Sequence, residues 1–437
     1  MSHFDVAIVG GGMVGASLAI ALAQARLKVA LIEAVAPGSQ SQPSFDDRTT
    51  ALGNSSRRIF SALGAWPHIE RQSGIIRAIH VSDAGRFGFA RLDAREQGVE
   101  AFGFVAPNRA IGAALWEQLN AHATHIALHV PARVATIEIG DESVALDIAH
   151  EPVVPTAPVN AAGVSASGAP NTKRKEKKLA ASGGAGSQRL TARLVVAADG
   201  AHSTVREAAG IAATVEDYGQ VAVVANVATD EPHDGTAYER FTPTGPLALL
   251  PMRDGSYTVV WTLKPERAEQ AMALSDSAFP KELQTCFGWR AGRFSRVGRR
   301  GAYPLKLTRA TQAVGRRTVL IGNAAQALHP VAGQGFNLGL RDAAMLAEVV
   351  ARAAGDPGAP HVLAKFADWR AADRRGVIRF TDGLVKLFGD SRPGMGALRN
   401  LGLLMFDLTP PAKSALARVS TGFGGPTPRL ARGLSLS

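Results

Sequence analysis

Several features are scarce or missing in this chain of 437 residues, and each absence excludes a class of protein. Cys286 is the only cysteine, which excludes an intrachain disulfide, a cysteine zinc site and a CxxC redox pair. The 11 histidines form no H-E-x-x-H motif, and we predict no metal site. The 46 glycines follow no three-residue period, so a collagen-like chain is excluded as well.

Long apolar runs are also missing, apart from one stretch near the N-terminus. Residues 6–23 carry no charge, and this length raises the question of a membrane span. Four glycines interrupt the stretch after four apolar residues, and no basic segment precedes it. We therefore expect neither a transmembrane helix nor a signal peptide, and predict a soluble or peripheral protein.

The net charge of +11 is unevenly distributed. The run from Lys173 to Lys178 holds five basic residues and one acidic residue, and residues 366–437 hold 11 Lys or Arg against 5 Asp or Glu. A nucleic-acid-binding protein usually carries its basic residues on one folded face. Here the excess lies in a low-complexity segment and a C-terminal tail. We therefore expect no nucleic-acid partner and favour contact with an anionic membrane surface.

What is present begins with a strand, a glycine turn, a helix and a second strand. Residues 10–15 read Gly-Gly-Gly-Met-Val-Gly and fit G-x-G-x-x-G, and Glu33 follows the second strand. In such a unit Gly10 makes the tight turn, Gly12 lets the backbone approach a pyrophosphate, and Gly15 permits close helix–strand packing. The helix N-terminus favours phosphate, and Glu33 would accept hydrogen bonds from ribose hydroxyls. The pattern predicts a dinucleotide site without choosing between FAD and NAD.

A second motif follows another predicted strand. Asp199 and Gly200 come directly after the apolar segment 193–198, and Ser203 starts a helix. Ligands of open α/β sheets bind outside the carboxyl ends of the strands. This acid and glycine therefore form a second anchor for the same ligand.

A third motif follows the predicted strand 318–321. Asn323 lies just past this strand, and residues 329–339 read His-Pro-Val-Ala-Gly-Gln-Gly-Phe-Asn-Leu-Gly. We predict a glycine-rich loop over 333–337 and a helix from Leu340 to Ala353. Such a loop would present backbone N–H groups to an anionic ligand.

Together the three motifs resemble those of the FAD-dependent single-component aromatic hydroxylases, over nearly the whole chain. The string over 329–339 is similar to that of the ubiquinone-biosynthesis branch, and Asn323 and Gln326 replace the Asp and His commoner in sister hydroxylases. The resemblance implies a monooxygenase that takes electrons from NADH or NADPH, activates O₂ as a flavin C4a-hydroperoxide and hydroxylates a lipophilic polyprenylated methoxyphenol. It also implies a cytoplasmic, peripheral location at the inner membrane and contact with other ubiquinone-biosynthesis proteins.

The resemblance assigns roles to individual residues. The residues implied to bind FAD are Gly10, Gly12, Gly15, Glu33, Arg48, Arg109, Asp199, Gly200, Asn323, Gly335 and Asn337. The residues implied to line the reaction zone are His329, Pro330, Gly333 and Gln334. A phenol reacts more readily as phenolate, so a base is expected beside it. Our hypothesis for that base is His329, because it lies next to Pro330.

The implied fold is α/β, with a Rossmann-like FAD-binding domain similar to that of para-hydroxybenzoate hydroxylase, an inserted antiparallel-sheet substrate domain and a C-terminal helical region. The predicted boundaries are 1–75, 106–215 and 311–365 for the FAD-binding domain, 76–105 and 216–310 for the substrate domain, and 366–437 for the helical region. Within the second part, residues 151–188 are dominated by Pro, Ala, Gly and Ser, which predicts a disordered insertion.

Three alternatives stay open from the sequence. The enzyme could hydroxylate another ring position or a soluble aromatic acid. It could be a flavin-binding scaffold of the quinone-biosynthesis assembly. This hypothesis stays open because Asn323 replaces the Asp that is commoner in sister hydroxylases. It could also be a prenyl-chain reductase, which would need no O₂.

Overall fold

The computed structural model describes residues 2–37, 48–150, 187–327, 334–353, 355–371 and 427–436, with isolated positions between 402 and 422. The strands are β1 (Ser2–Val9), β2 (Val29–Ile32), β3 (Thr49–Gly53), β4 (Gly74–Ile76), β5 (Ala78–Asp83), β6 (Phe89–Asp93), β7 (Gly103–Pro107), β8 (Ile126–His129), β9 (Ala132–Ile139), β10 (Val144–His150), β11 (Ser187–Ala197), β12 (Ala213–Thr229), β13 (Thr236–Thr242), β14 (Gly245–Pro251), β15 (Tyr257–Leu263), β16 (Phe294–Val297), β17 (Gly301–Ala310), β18 (Val314–Gly315), β19 (Thr318–Leu320) and β20 (Gln326–Ala327). The helices are α1 (Met13–Gln24), α2 (Asn54–Ala62), α3 (Trp66–Glu70), α4 (Asn108–Ala121), α5 (Thr204–Ala208), α6 (Pro265–Ala273), α7 (Phe279–Phe287) and α8 (Gln334–Ala351).

The first sheet has a parallel centre. Its strands follow the order β18-β19-β11-β1-β2-β8, and β1 pairs in parallel with both β11 and β2. Because successive side chains of a strand point to opposite faces, Val6 and Ile8 enter one core and Ala7 and Val9 enter another. The helices α1, α4 and α8 contribute to the first core. Burial on both faces explains why β1 and β2 are nearly continuous apolar runs.

The helix α1 is buried almost all round. Its residues from Gly15 to Ala23 are all buried, and most of them are small. A helix that is apolar on every side packs between other elements rather than facing water. This explains why the uncharged stretch 6–23 is part of the core: it is a buried strand followed by a buried helix.

The second sheet is mostly antiparallel, with the order β20-β17-β12-β15-β14-β13-β5-β6 and β16 beside β12. One face is covered by α6 and α7, whose Ala268, Phe279 and Leu283 join a core with Val259 and Trp261. The opposite face packs partly against a third sheet of order β3-β7-β4. The two larger sheets and their helices confirm the predicted fold class.

The predicted insertion 151–188 lies almost wholly outside the described residues, but its flanking strands are described. β10 and β11 pair antiparallel, with Ala149 opposite Ser187. The segment thus joins two neighbouring strands of one sheet. The strand already starts at Ser187, so the predicted insertion ends two residues too late.

Two other predictions concern the C-terminal third of the chain. α8 begins at Gln334, so residues 334–337 are helical and their prediction as a loop was wrong. The glycines do not prevent the helix, because tertiary contacts outweigh helix propensity. Most of the predicted helical region 366–437 lies outside the described residues. In the part of the chain that is described, no helix is long and apolar enough to cross a membrane.

Candidate active site

The three sequence motifs come together at one edge of the first sheet. Gly10 follows β1, Asp199 follows β11 and Gly322 follows β19, three strands that are neighbours in the sheet. Backbone hydrogen bonds continue past the strand ends, from Ala198 N to Val9 O at 2.8 Å and from Ile321 N to Ala197 O at 3.0 Å. The edge is therefore the carboxyl edge at which open α/β sheets bind ligands.

The glycine turn has no room for side chains. A Cβ on Gly10 would lie 2.4 Å from the carbonyl oxygen of Ala198, and Gly10 has a φ of 103°. A Cβ on Gly15 would lie 2.0 Å from the carbonyl oxygen of Gly10. Gly12 stands at the N-cap of α1, where no side chain caps the helix. The first backbone N–H groups of α1 are thus left for an anionic group, and the turn fits a dinucleotide pyrophosphate.

Glu33 lies directly after β2, beside the glycine turn. Its Oε2 accepts a hydrogen bond from Gly11 N at 2.6 Å, and its Oε1 accepts one from Val35 N at 2.9 Å. Each carboxylate oxygen can accept more than one hydrogen bond. Glu33 therefore ties the turn to β2 and keeps capacity for the ribose hydroxyls that the sequence assigned to it.

Asp199 caps the short helix α5. Its Oδ2 accepts hydrogen bonds from Thr204 N at 2.8 Å and from Thr204 Oγ1 at 3.1 Å. Its Oδ1 is buried and has no hydrogen-bond partner among the described residues. Gly200 has a φ of 90° and open space around its Cα, so the backbone there turns sharply. The free Oδ1 is an acceptor that a ligand hydroxyl or amide can fill.

The second and third motifs are joined by an arginine that the sequence did not single out. Arg206 is buried, and its guanidinium donates to the carbonyl oxygens of Ala201 at 2.9 Å and Ala324 at 3.1 Å. Asn323 directly precedes Ala324 and is exposed. Its amide is therefore accessible to a ligand.

α8 approaches the glycine turn closely. A Cβ on Gly339 would lie 3.0 Å from Gly322 Cα and 3.2 Å from Val14 Cγ2. Gly322 N donates to Asp342 Oδ2 at 3.2 Å, and Asp342 forms a buried ion pair with Arg370. These contacts hold the third motif against the start of α1.

Asn337, which the resemblance assigns to the FAD site, makes side-chain hydrogen bonds within the protein. Its Oδ1 accepts hydrogen bonds from Gly53 N at 2.9 Å and Ser56 Oγ at 2.6 Å, and its Nδ2 donates to Ala51 O at 2.8 Å. The buried side chain thus joins α8 to the β3–α2 junction, and we assign it a positioning role. Gly335 lies in the first turn of α8, beside Phe336, which stacks on Phe60.

The two predicted flavin-contacting arginines lie at the same end of the third sheet. Arg48 precedes β3 and Arg109 follows β7, and the pairing of Thr49 with Pro107 brings their backbones together. The Arg48 guanidinium lies 5.0 Å from the centre of the Tyr303 ring. Tyr303 belongs to β17, so Arg48 connects the third sheet to the second.

The predicted reaction-zone residues are only partly visible. His329, Pro330 and Gly333 lie outside the described residues, and of Gln334 only its place at the start of α8 is described. Within the described ranges, no three His, Cys, Asp or Glu side chains are grouped so that they could hold a metal ion.

The second sheet contributes a carboxylate that the sequence analysis missed. Glu239 lies in β13, and burial raises the pKa of its carboxyl to about 7. Its strand mixes polar and apolar residues as many strands do, so no local signal marks it. Only the packing of the sheet shows that this acid loses solvation.

The chain was compared with known proteins. Two models described as an FAD binding domain match residues 163–381 and 5–45, and the former covers half of the chain. These matches confirm the predicted FAD cofactor.

Three relatives match along almost their whole length. The Rhodospirillum rubrum protein named ubiquinone hydroxylase UbiL is 35% identical and covers 99% of this chain and 93% of its own. The Escherichia coli 3-demethoxyubiquinol 3-hydroxylase is 30% identical, with 92% and 94% covered. The Xenopus tropicalis ubiquinone biosynthesis monooxygenase COQ6 is 30% identical, with 94% and 92% covered.

A solved structure supports the fold. The crystal structure of p-nitrophenol 4-monooxygenase PnpA from Pseudomonas putida has a TM-score of 0.73 at 19% identity and covers 97% of this chain and 99% of its own. At that identity the likeness concerns the fold alone. The full-length relatives and the FAD-binding match show the family: the chain belongs to the FAD-dependent aromatic hydroxylases that include the ubiquinone-biosynthesis hydroxylases.

Proposed function

We propose that this protein is a flavin-dependent monooxygenase of ubiquinone biosynthesis that hydroxylates a polyprenylated methoxyphenol with NAD(P)H and O₂. The observation that carries the proposal is the arrangement of the three motifs at the carboxyl edge of the first sheet. Full-length similarity to proteins named as ubiquinone hydroxylases supports the substrate class.

The chain's own residues bind and orient the reactants. Gly10, Gly12 and the start of α1 would hold the pyrophosphate, and Glu33 would hold the ribose. Asn323 and the Asp199 Oδ1 offer polar contacts to the remainder of the cofactor. When bound, FAD supplies the redox chemistry that passes electrons from NAD(P)H to O₂ and an oxygen atom to the ring. The protein excludes water and positions the phenol.

The phenol needs a hydrogen-bond acceptor, because the ring becomes a better nucleophile as its oxygen loses the proton. His329 remains the sequence-based hypothesis for this group. An alanine variant with unaltered hydroxylation and normal flavin content would contradict that assignment.

The substrate also implies a membrane surface. A polyprenyl phenol is nearly insoluble in water, and residues 366–437 combine excess positive charge with large apolar side chains. We propose peripheral contact with anionic lipid at the cytoplasmic face, where other ubiquinone-biosynthesis proteins would meet the enzyme. The purified protein should pellet with anionic vesicles at low salt and less so at high salt. Failure to pellet at both low and physiological salt would contradict this proposal.

The function is tested by product analysis. FAD-loaded protein is incubated with NAD(P)H and 2-geranyl-6-methoxyphenol under ¹⁸O₂, and the product is examined by mass spectrometry and NMR. One ¹⁸O atom para to the phenol is the expected result, and an atom elsewhere on the ring would assign another position. FAD binding without labelled product would favour a scaffold or a partner-dependent enzyme. Conversion of the substrate in the absence of O₂ would indicate a prenyl-chain reductase.

A further inference from the structure

One row of residues crosses the second sheet on the face opposite α6 and α7. The strand register places these residues side by side: Val224, Val260, Ala248, Glu239, Val81 and Ala90. Every residue of the row except Ala90 keeps some accessible surface. The row beyond it, which includes Phe241 and Thr262, is buried. The first row therefore forms the floor of a cleft, with small apolar side chains and one carboxylate.

The cleft lies on the face that Arg48 contacts. Tyr303 pairs with Ala222, two residues before Val224, so Tyr303 projects from the same face of the sheet as the row. Arg48 lies over that Tyr303 ring. On β13, Ala237 lies two residues before Glu239 and packs against Val105 of β7. The cleft is thus on the side of Arg48 and the third sheet, and not on the side of the helices α6 and α7.

The Glu239 carboxylate has no partner among the described residues. No hydrogen bond or ion pair to it occurs there, and loss of solvation alone raises its pKa to about 7. The charged groups on this face include Asp83 on β5, paired with Arg86 at 3.5 Å, and Arg48 over Tyr303 beyond the Val224 end of the row. Arg240, the next residue on β13, points to the opposite face. A half-buried carboxylate that has lost solvation and has no protein donor is a candidate for binding a ligand that donates a hydrogen bond.

We propose that Glu239 is the group that binds and deprotonates the substrate phenol, with the prenyl chain lying along the apolar floor of the cleft. In the ground state its carboxylate accepts the phenolic hydrogen bond. As the ring attacks the oxidant, the phenolic O–H bond breaks and the proton goes to a Glu239 oxygen, while the electron pair of that bond stays on the phenolic oxygen. The assignment rests on the proposed function, and it is an alternative to His329 in this role.

The pH profile of hydroxylation is the first test. FAD-loaded enzyme is assayed with 2-geranyl-6-methoxyphenol from pH 5.5 to 9. Wild type should lose activity as pH falls through about 7, because Glu239 becomes protonated. In E239Q this fall in activity at low pH (the acidic limb) should disappear. The hydroxylation rate should drop about 100-fold or more, while the flavin content stays normal. E239D should be slower but keep the limb.

A matched control removes the same charge elsewhere on the sheet. Glu216 lies in β12 and is exposed, so E216Q should leave both the rate and the profile unchanged. Equal rates and equal acidic limbs in wild type and E239Q would overturn the proposal. If E239Q binds no FAD, the pH profile of E239D is the deciding measurement. A loss of E239D activity at low pH supports the assignment, and activity that does not fall at low pH contradicts it.

A binding measurement separates this inference from the proposed function. Oxidised holoenzyme is titrated with the same phenol and with its methyl ether, and binding is followed by the flavin spectrum. A hydrogen bond to a charged acceptor predicts that wild type prefers the phenol by about 10-fold or more at pH 8, and that E239Q loses most of this preference. Equal preference in both proteins would overturn the role of Glu239 even if hydroxylation holds. Binding of neither compound would contradict the proposed function, and this inference with it.

Discussion

Asn337 Oδ1 lies 2.9 Å from the backbone nitrogen of Gly53 and accepts its hydrogen bond, which joins two residues 284 positions apart. The same amide also bonds Ser56 and Ala51, so one side chain secures the start of α8 to the β3–α2 junction. Arg48 precedes this β3 strand, and the third motif precedes α8. The contact therefore fixes the strand that follows Arg48 relative to the third motif.

Replacing Asn337 with alanine should destabilise the protein. The change leaves a buried N–H, a hydroxyl and a carbonyl without partners, and each such group costs about 1–3 kcal/mol. We expect a loss of about 3 kcal/mol in the free energy of unfolding, measured by urea titration, together with weaker FAD retention. S61A is the control, since Ser61 is exposed and bonds only its own helix at Arg57 O. If Asn337→Ala changes the free energy of unfolding by less than about 0.5 kcal/mol, the positioning role is contradicted.

Replacing Gly15 with alanine should abolish FAD binding. The new Cβ would lie 2.0 Å from Gly10 O, a distance that forces the turn to move away from the pyrophosphate. The flavin-to-protein absorbance ratio of the purified variant measures the effect. Gly298 is a suitable control position, because a Cβ there would meet its nearest atom, Asn226 O, at 3.6 Å. Normal flavin content in G15A would show that the turn does not approach the cofactor.

Removing Arg370 should destabilise the protein, because the buried Asp342 carboxylate loses the Arg370 guanidinium. Arg370 and Asp342 are both almost fully buried as an ion pair, and Asp342 also receives Gly322 N. R370M should cost about 3–5 kcal/mol in unfolding free energy, because the remaining carboxylate loses its counter-charge. The double variant R370M/D342N should recover part of the loss. K306M is the control: Lys306 and Asp217 are both exposed in their ion pair, and such pairs contribute about 0–1 kcal/mol.

The stability of the protein should depend on pH through Glu239. Its folded pKa of about 7 lies above the ordinary value of 4.5, so the folded state binds the proton more tightly than the unfolded state. Stability from this group is full below about pH 4.5 and is lost as pH rises through about 7. E239Q avoids the loss and should be more stable than wild type by about 2–3 kcal/mol at pH 8, but nearly equal at pH 5. Urea unfolding at the two pH values measures this, and an equal difference at both would contradict it.

Much of the cofactor site could be predicted from the sequence because its signals are local. Gly10 and Gly15 are required by backbone geometry within one turn, and Glu33, Asp199 and Asn323 each follow an apolar run that predicts a strand. The carboxyl ends of parallel strands meet at one edge of a sheet. The apolar segments that predict strands, together with the glycine pattern, were therefore enough to place these residues together. The roles assigned to the individual residues stay predictions.

Other features depended on contacts between distant segments. The glycines at 335 and 339 favoured a loop, but contacts of Asn337 and Gly339 with residues far away in sequence stabilise a helix instead. Helix propensity is worth less than 1 kcal/mol per residue for most residues, roughly the scale of one buried hydrogen bond. Arg206 likewise looks like any arginine of a short helix until Ala324 is brought beside it.

The sequence by itself determined the dinucleotide turn, the order of the strands along the chain and the family, because short-range sterics and apolar patterning encode them. Only the tertiary structure decided which acid of the second sheet loses solvation, and that acid is Glu239. Glu239 sits in a strand like many others, and its raised pKa arises from desolvation by segments that are remote in sequence. Desolvation is a property of the assembled fold, so no local pattern could reveal it.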